Sequence, residues 1–413
     1  MTRDAGRVCG LSGLTVHAQL PGARRGDWVR VGEELDAEVI AFDDQRVTLM
    51  PLGDLHGVGL DDRVRYMGSA LQVRCGEDLL GRVVDGIGRP IDGGPALEGE
   101  AWAVHRRPPR ALDRPRIARV LTTGVRAIDA LCTVGEGQRV GLFAPAGAGK
   151  TSLLAQLASG ASADVVVACL IGERGRELNE FLEDALGPAT RARSVVVSAT
   201  SDAAPLERLK SAHVATTFAE SFRAQGKRVL LLMDSLTRLV RAAREVGLAA
   251  GEAPARRGFP ASAFADLAPL LERAGLSGEG SITAFYTVLV EGNDLDEPVA
   301  DEVRGLIDGH LVLDRTLAER GHFPPIDIVR SLSRVMNEII APPHRKAAQQ
   351  VRAWLAHYER KRDLVELGAV STGADPLLDR ALAKLPAIEA LLRQPREEHA
   401  ELAATIARLI ATT

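Results

Sequence analysis

The stretch Gly141 to Leu154, reading GLFAPAGAGKTSLL, constrains this chain more than any other. Apolar Val140-Gly141-Leu142-Phe143 leads into a loop of small residues that ends Gly149-Lys150-Thr151, and Ser152-Leu153-Leu154 opens a pattern that suits a helix. Strand, glycine-rich loop and helix is the layout of a phosphate-binding P-loop. Gly147 and Gly149 let successive backbone N–H groups turn toward one phosphate chain. The helix that follows presents its positive end to the same anion. On this reading Ala144, Pro145, Ala146, Gly147, Ala148, Gly149, Lys150, Thr151 and Ser152 form the cradle for ATP. Lys150 reaches the β- and γ-phosphates, and the Thr151 hydroxyl ligates Mg²⁺. One feature departs from the strict pattern: Ala144 stands where a glycine is usual, and Pro145 after it has no N–H to donate. The donors most needed lie later, from Gly147 to Thr151. The competing reading is a strand–turn–helix whose Gly-Lys-Thr is accidental, and the rest of the chain decides between the two.

At 413 residues the chain is long enough for two or three domains with good cores. Its 46% apolar and 26% charged residues are those of an ordinary globular protein. A formal charge of −4 supplies no basic field of the kind that announces nucleic acid. Cys9, Cys75, Cys132 and Cys169 are far apart, fit no metal-ligand spacing and read as reduced thiols. The start, MTRDAGRVCG, has no apolar core for a signal peptide, and no apolar run approaches a membrane span. The expectation is a cytoplasmic protein that meets a membrane only through partners.

From about Gly6 to Gly94, short β-rich runs such as Val29–Val31, Ala37–Ile40 and Arg46–Leu49 alternate with glycine turns. That spacing predicts a small barrel. The stretch lacks the interleaved aromatics and lysines of a nucleic-acid platform, so a structural barrel is favoured. Residues Ala101 to Arg119 are rich in Pro and Arg and read as a linker or wrapping segment.

From about Thr122 to Ile340 strand and helix alternate. Val165–Ile171, Ser194–Ser198, Val229–Met233 and Ile282–Val290 are near-continuous apolar runs, which predicts a parallel sheet covered on both faces, with ligands at the carboxyl ends of its strands. Two of these strands end in acids. Arg228–Met233 runs into Asp234-Ser235, a Walker B pattern whose carboxylate serves Mg²⁺. Ile171 runs into Gly172-Glu173-Arg174-Gly175-Arg176-Glu177, and a carboxylate placed there can orient and polarise an attacking water. An acid after an apolar strand commonly just caps the next helix. Three such elements on one edge of one sheet are harder to assign to chance. Leu236–Gly251 reads as a helix and Glu252–Pro260 as a loop. From Pro342 onward the strands disappear, and Ala347–Glu366, Leu377–Leu392 and Glu397–Ile410 have helical periodicity.

These motifs together resemble the ATPases of type III secretion systems, relatives of the flagellar export ATPase and of the catalytic subunit of rotary ATP synthases. The resemblance covers nearly the whole chain and is carried by DGIGRPIDG (85–93), the P-loop, IGERGRELNEFLE (171–183), the stretch 228–260, the stretch 280–310 and SLSRVM (331–336). It implies an α/β fold: a RecA-like P-loop ATPase core (96–340), an N-terminal β-barrel (1–95) and a C-terminal helical domain (341–413). It implies a homo-oligomeric ring, usually a hexamer, with ATP between neighbours. By the same resemblance Glu173 is the catalytic carboxylate, Arg174 lies near the γ-phosphate, and Glu177 helps order the metal's water shell. Asp234 is the Walker B acid, Arg238 the nearby basic residue of its helix, and Arg334 the arginine finger supplied to the adjacent subunit. The implied partners are a central stalk, a stator-like regulator, chaperones and exported proteins. The implied place is peripheral to an inner-membrane secretion apparatus, reached through its export gate. The chain enters its barrel at about Gly6, so the family's N-terminal extension, which contacts the regulator, is expected to be nearly absent. Arg345 stands where relatives carry an apolar or aromatic residue near the adenine.

Two other function classes remain at this stage. A ring-shaped RNA translocase requires an RNA-binding barrel, which the aromatic-poor N-terminal stretch does not offer. A non-catalytic nucleotide-binding ring subunit has no need of a water-activating acid at Glu173.

Overall fold

The computed structural model describes residues 6–413 apart from 69, 292–294 and 372. The start of the chain, on which the expectation about the N-terminal extension bears, lies outside the described residues. Six strands come first: β1 (Gly6–Ser12), β2 (Thr15–Gln19), β3 (Trp28–Val31), β4 (Leu35–Phe42), β5 (Val47–Pro51) and β6 (Arg63–Gly68). They close into an antiparallel barrel in the order β1-β2-β5-β4-β3-β6. Val8, Val16, Val29, Val39, Leu49 and Val64 fill its interior, because the period of two sends alternate side chains inward.

The barrel is shorter than expected. It ends at Gly68, and the chain between there and residue 95 belongs elsewhere. β7 (Gln72–Cys75) pairs with β9 (Glu100–Ala103), and β8 (Val83–Asp85) is the outermost strand of the large sheet. Glycine turns punctuate both regions alike, so the local pattern could not separate barrel strands from a strand that pairs far along the chain. After a short ladder of β10 (Val120–Leu121) and β11 (Val134–Gly135), the sheet is built from β12 (Arg139–Ala144), β13 (Val165–Ile171), β14 (Ser194–Ala199), β15 (Arg228–Asp234), β16 (Gly275–Ser277), β17 (Gly280–Leu289), β18 (Gly309–Leu313) and β19 (Ile326–Ser333). Its order is β19-β18-β12-β17-β15-β13-β14-β8, with β16 paired to β17. The long apolar runs fall on β13, β14, β15 and β17, and these pair in parallel. The sheet is not wholly parallel: β19 and β16 run antiparallel to their neighbours.

Side chains from both faces of the sheet enter separate cores. The barrel is fastened both to the turn after β8 and to the helix Pro205–Ala224 that covers the sheet. Arg89 pairs with Asp36 of β4, and Lys210 lies 2.5 Å from Glu38 of the same strand. The linker is pinned too. Fully buried Arg273 makes 3.0 and 2.9 Å bonds to Glu220 and donates to the Val104 carbonyl at 3.1 Å.

Three helices close the chain: Pro342–Glu366, Pro376–Leu392 and Leu402–Thr412. The first starts five residues before the periodicity suggested, because Pro342 and Pro343 occupy its first turn, where proline needs no N–H. Trp354, Ile388, Leu391 and Leu409 join the same core as the sheet residues Leu142 and Leu311.

Candidate active site

Everything in the P-loop follows from where β12 ends. Its last residue, Ala144, is buried, as are Pro145 and Ala148, while Ala146 and Gly147 are exposed. Gly147 has φ 78° and Gly149 φ 76°, left-handed values at which a side chain is strained. The Ala148 N–H is spent inside the loop, on the Pro145 carbonyl at 3.3 Å. The N–H groups of Gly147 and Gly149 are donated to no loop carbonyl among the described residues. Helix α1 (Lys150–Gly160) starts at once, and Thr151 and Ser152 on its first turn are exposed.

Lys150 turns back over the strand ends. Its Nζ is 2.5 Å from Asp234 Oδ1 and 3.3 Å from Glu173 Oε1. Burial alone would lower the ammonium's pKa, but the two carboxylates outweigh it and raise the pKa above its ordinary value. Asp234 ends β15 as Glu173 follows β13, so adjacent parallel strands deliver both acids to one edge. Asp234 Oδ1 also accepts from the Thr287 hydroxyl of β17 at 2.7 Å. Nothing in the sequence marked Thr287 except a polar residue inside an apolar run.

Glu173 is 6% exposed. Burial, then the hydrogen bond to Glu177, pushes its carboxyl up to about 7, against the pull of Lys150. The same hydrogen bond holds Glu177 below its ordinary range. Helix α2 (Gly175–Glu180), continued by a π turn through Ala185, carries Glu177. Arg238, on helix α3 (Leu236–Ala249), donates to Glu173 Oε2 at 3.0 Å and to the Gly172 carbonyl. The structure thus gathers Lys150, Glu173, Glu177, Asp234 and Arg238 in one cluster beside Thr151.

Two expected site residues stand apart. Arg174 is exposed and comes no closer to Glu177 than 3.9 Å. Arg334 is exposed just past the end of β19, and its N–H bonds the Asp308 carbonyl at 3.0 Å. β19 is antiparallel, with Ser333 opposite Gly309 at the start of β18. Arg334 therefore lies at the end of the sheet where β12 begins, and Lys150 at the end where it finishes. A six-residue strand separates the two ends by roughly 20 Å. Arg334 cannot complete the site of its own chain.

Against the P-loop lies a residue the sequence did not single out. A methyl built on Gly149 would meet Pro325 at 3.9 Å and Phe323 at 4.0 Å. Phe323 is 49% exposed, an aromatic face left open beside the cradle. Arg345 instead bonds the Ile340 carbonyl at 3.3 Å, at the start of its own helix.

Residues 124–333 match the nucleotide-binding domain of the ATP synthase alpha/beta family, and residues 340–411 match the C-terminal domain of the T3SS EscN ATPase. The type 3 secretion system ATPase of Sinorhizobium fredii is 48% identical over 407 residues, covering 97% of this chain and 90% of the relative. The flagellum-specific ATP synthase of Salmonella typhimurium is 48% identical, covering 97% and 91%. The assembled ATPase EscN of the enteropathogenic E. coli type III secretion system superposes with a TM-score of 0.94 at 44% identity, over 98% of this chain and 99% of that one. EscN in complex with its central stalk EscO superposes with a TM-score of 0.92 at the same identity and coverage.

Proposed function

From the premise that this chain belongs to the ATP synthase alpha/beta family, among its type 3 secretion system ATPases, we propose that it is a ring-forming export motor whose hydrolytic sites are shared between neighbouring subunits. The carrying observation is the buried cluster of Lys150, Glu173 and Asp234 at the mouth of the P-loop.

ATP's phosphates take the N–H groups of Gly147, Gly149, Lys150 and Thr151. The γ-phosphate draws Lys150 off Glu173 and Asp234, replacing two carboxylates by phosphate oxygens. The oxygen donors beside it, the Thr151 hydroxyl and the Asp234 carboxylate held by Thr287, suit a hard divalent cation. Bound there, Mg²⁺ would supply neutralisation of the phosphate charge. Glu173, freed from the ammonium and held by Arg238, accepts a proton from the attacking water. Its raised pKa places it near the optimum for a base at neutral pH, a role worth about 10²–10⁴ in rate. Arg334 of the neighbouring subunit stabilises the charge on the transferring phosphoryl group, worth about 10³–10⁵.

EscN has been solved with its central stalk EscO, and we infer a stalk of that kind in this ring. Chaperone release, unfolding and delivery of exported proteins follow from the family resemblance, as do the stator-like regulator and the place at an export gate. No helix among the described residues is long and apolar enough to cross a membrane. A flagellar export role is the second reading, since the flagellum-specific relative is as similar as the secretion one.

The test is ATPase rate against protein concentration, wild type beside Glu173→Gln, with and without single-stranded RNA. A rate that climbs faster than linearly, vanishes in the variant and ignores RNA is expected. Stimulation by RNA would replace the export reading with translocation along nucleic acid.

A further inference from the structure

A groove runs between the helices Pro342–Glu366 and Leu402–Thr412 and is not used by the chemistry above. Its apolar part is lined by Ile339, Ile406 and Ile410 and reaches Thr133. Thr133's carbonyl accepts from the Ser333 hydroxyl at 2.7 Å, so the groove begins beside Arg334. It widens along the first helix into a space of about 660 Å³ rimmed by Lys346, Arg380 and Lys384 over Trp354. No ion pair engages these three cations among the described residues; Lys384 reaches the Thr413 carbonyl at 3.4 Å and lies 6.0 Å over the Trp354 ring. Trp354 is 5% exposed, and its buried Nε1–H has no partner. A groove apolar at one end and rimmed by cations at the other suits an acidic segment.

We propose that the occupant is helix α2 of the neighbouring subunit, with its π-turn continuation. This rests on the ring reading in which Arg334 enters the neighbour's site. That placement brings the groove's near end against the neighbour's Lys150 and Glu173, and α2 begins two residues after Glu173. Glu180 and Glu183 lie three residues apart and so are neighbours on that helix's surface, while Glu177 turns to Glu173. Glu183 is exposed, with no ion pair among the described residues, and Glu180 is held only by exposed Arg176 at 3.1 Å. Such a surface pair is weak enough to exchange partners. From Pro342 to Trp354 the groove helix rises about 18 Å, ample for the three turns of α2 and its extension. The C-terminal helices of one subunit thereby grip the helix that carries Glu177 in the next, which links their position to the neighbour's catalytic carboxylate.

The experiment reverses charges on each side. Lys346→Glu with Lys384→Glu, and separately Glu180→Lys with Glu183→Lys, should each raise the protein concentration for half-maximal ATPase activity about tenfold. All four together should restore it to near the wild-type value. Losses that merely add would overturn the proposal. Normal activity of both reversed variants would assign the groove to a separate partner and overturn it as well. A second measurement does not depend on activity: full-length protein carrying Cys9→Ser, Lys384→Cys and Glu183→Cys, treated with a short bis-maleimide, should give a ladder of linked subunits that neither new cysteine gives alone. Absence of that ladder, while subunits mutated at Glu173 and at Arg334 still complement each other, would sink the groove contact and leave the shared site standing. Failure of that complementation would instead remove the ring reading on which the contact rests.

Discussion

Lys150 Nζ and Asp234 Oδ1 lie 2.5 Å apart, with Glu173 Oε1 3.3 Å from the same ammonium. The lysine proposed to hold phosphate is thus already held, in a buried position, by the two acids proposed to serve the same reaction. Those acids keep the ammonium charged against its burial. Lys150→Ala removes the phosphate contact and leaves Asp234 with the Thr287 hydroxyl and Glu173 with Arg238. Turnover should fall by about 10²–10³ or more, as when one preorganised donor to the reacting charge is lost. Steady-state hydrolysis and titration with a fluorescent ATP analogue check this, and full activity would remove the P-loop assignment.

Glu173→Gln should bind ATP and hardly hydrolyse it. The wild type should show an acid limb in kcat/KM centred near pH 7, because the carboxyl pushed up to about 7 must lose its proton to act as base. The same shift has a stability sign. A carboxyl whose pKa is raised on folding binds more protons folded than unfolded between its ordinary value and about 7. Nucleotide-free protein should therefore lose stability as pH rises through that window, and Glu173→Gln should abolish that part of the slope. Denaturation midpoints measured from pH 5 to pH 8 separate the two proteins, and identical slopes would count against the shift.

Phe323→Ala should raise KM and leave kcat nearly unchanged, since its exposed ring beside Gly149 offers a stacking face and no group that can act on the reacting phosphate. Stacking of a base on an aromatic ring is worth about 1–3 kcal/mol. Phe323→Tyr should restore most of the affinity. A fall in kcat with KM unchanged would place Phe323 in the chemistry instead.

The cluster at the strand ends was legible in the sequence wherever a motif is local. Asp234 closes its apolar strand, Glu173 stands two residues past another and Gly149-Lys150-Thr151 a short loop past a third, so strand and motif are read together. Thr287 and Phe323 were not legible. Thr287 looks like any polar residue in a strand until β17 is known to lie beside β15, and Phe323 sits in a loop with no period of its own. The barrel's end was missed for a related reason. Val83–Asp85 has the pattern of its neighbours, and only its pairing with the distant strand β14 assigns it to the sheet. Arg334 carried a family role, but its separation from Lys150 became visible only with the antiparallel course of β19.

Arg273→Ala tests the frame that positions the site. The side chain is 1% exposed and bidentate to Glu220. Removing it leaves a buried carboxylate with fewer donors, which should cost about 3–5 kcal/mol. Urea denaturation followed by tryptophan fluorescence reads this, and a loss under about 1 kcal/mol would show that Arg106 and Arg223 take over the pairing.

The shared site is the central claim, and mixing tests it most directly. Glu173→Gln and Arg334→Ala subunits should each be inactive alone while forming rings. Mixed in equal amounts, about a quarter of the head-to-tail interfaces should pair an intact Glu173 with an intact neighbouring Arg334. ATPase activity should then return, and should peak near the equal mixture. Rings that form at every ratio and never hydrolyse ATP would contradict the claim.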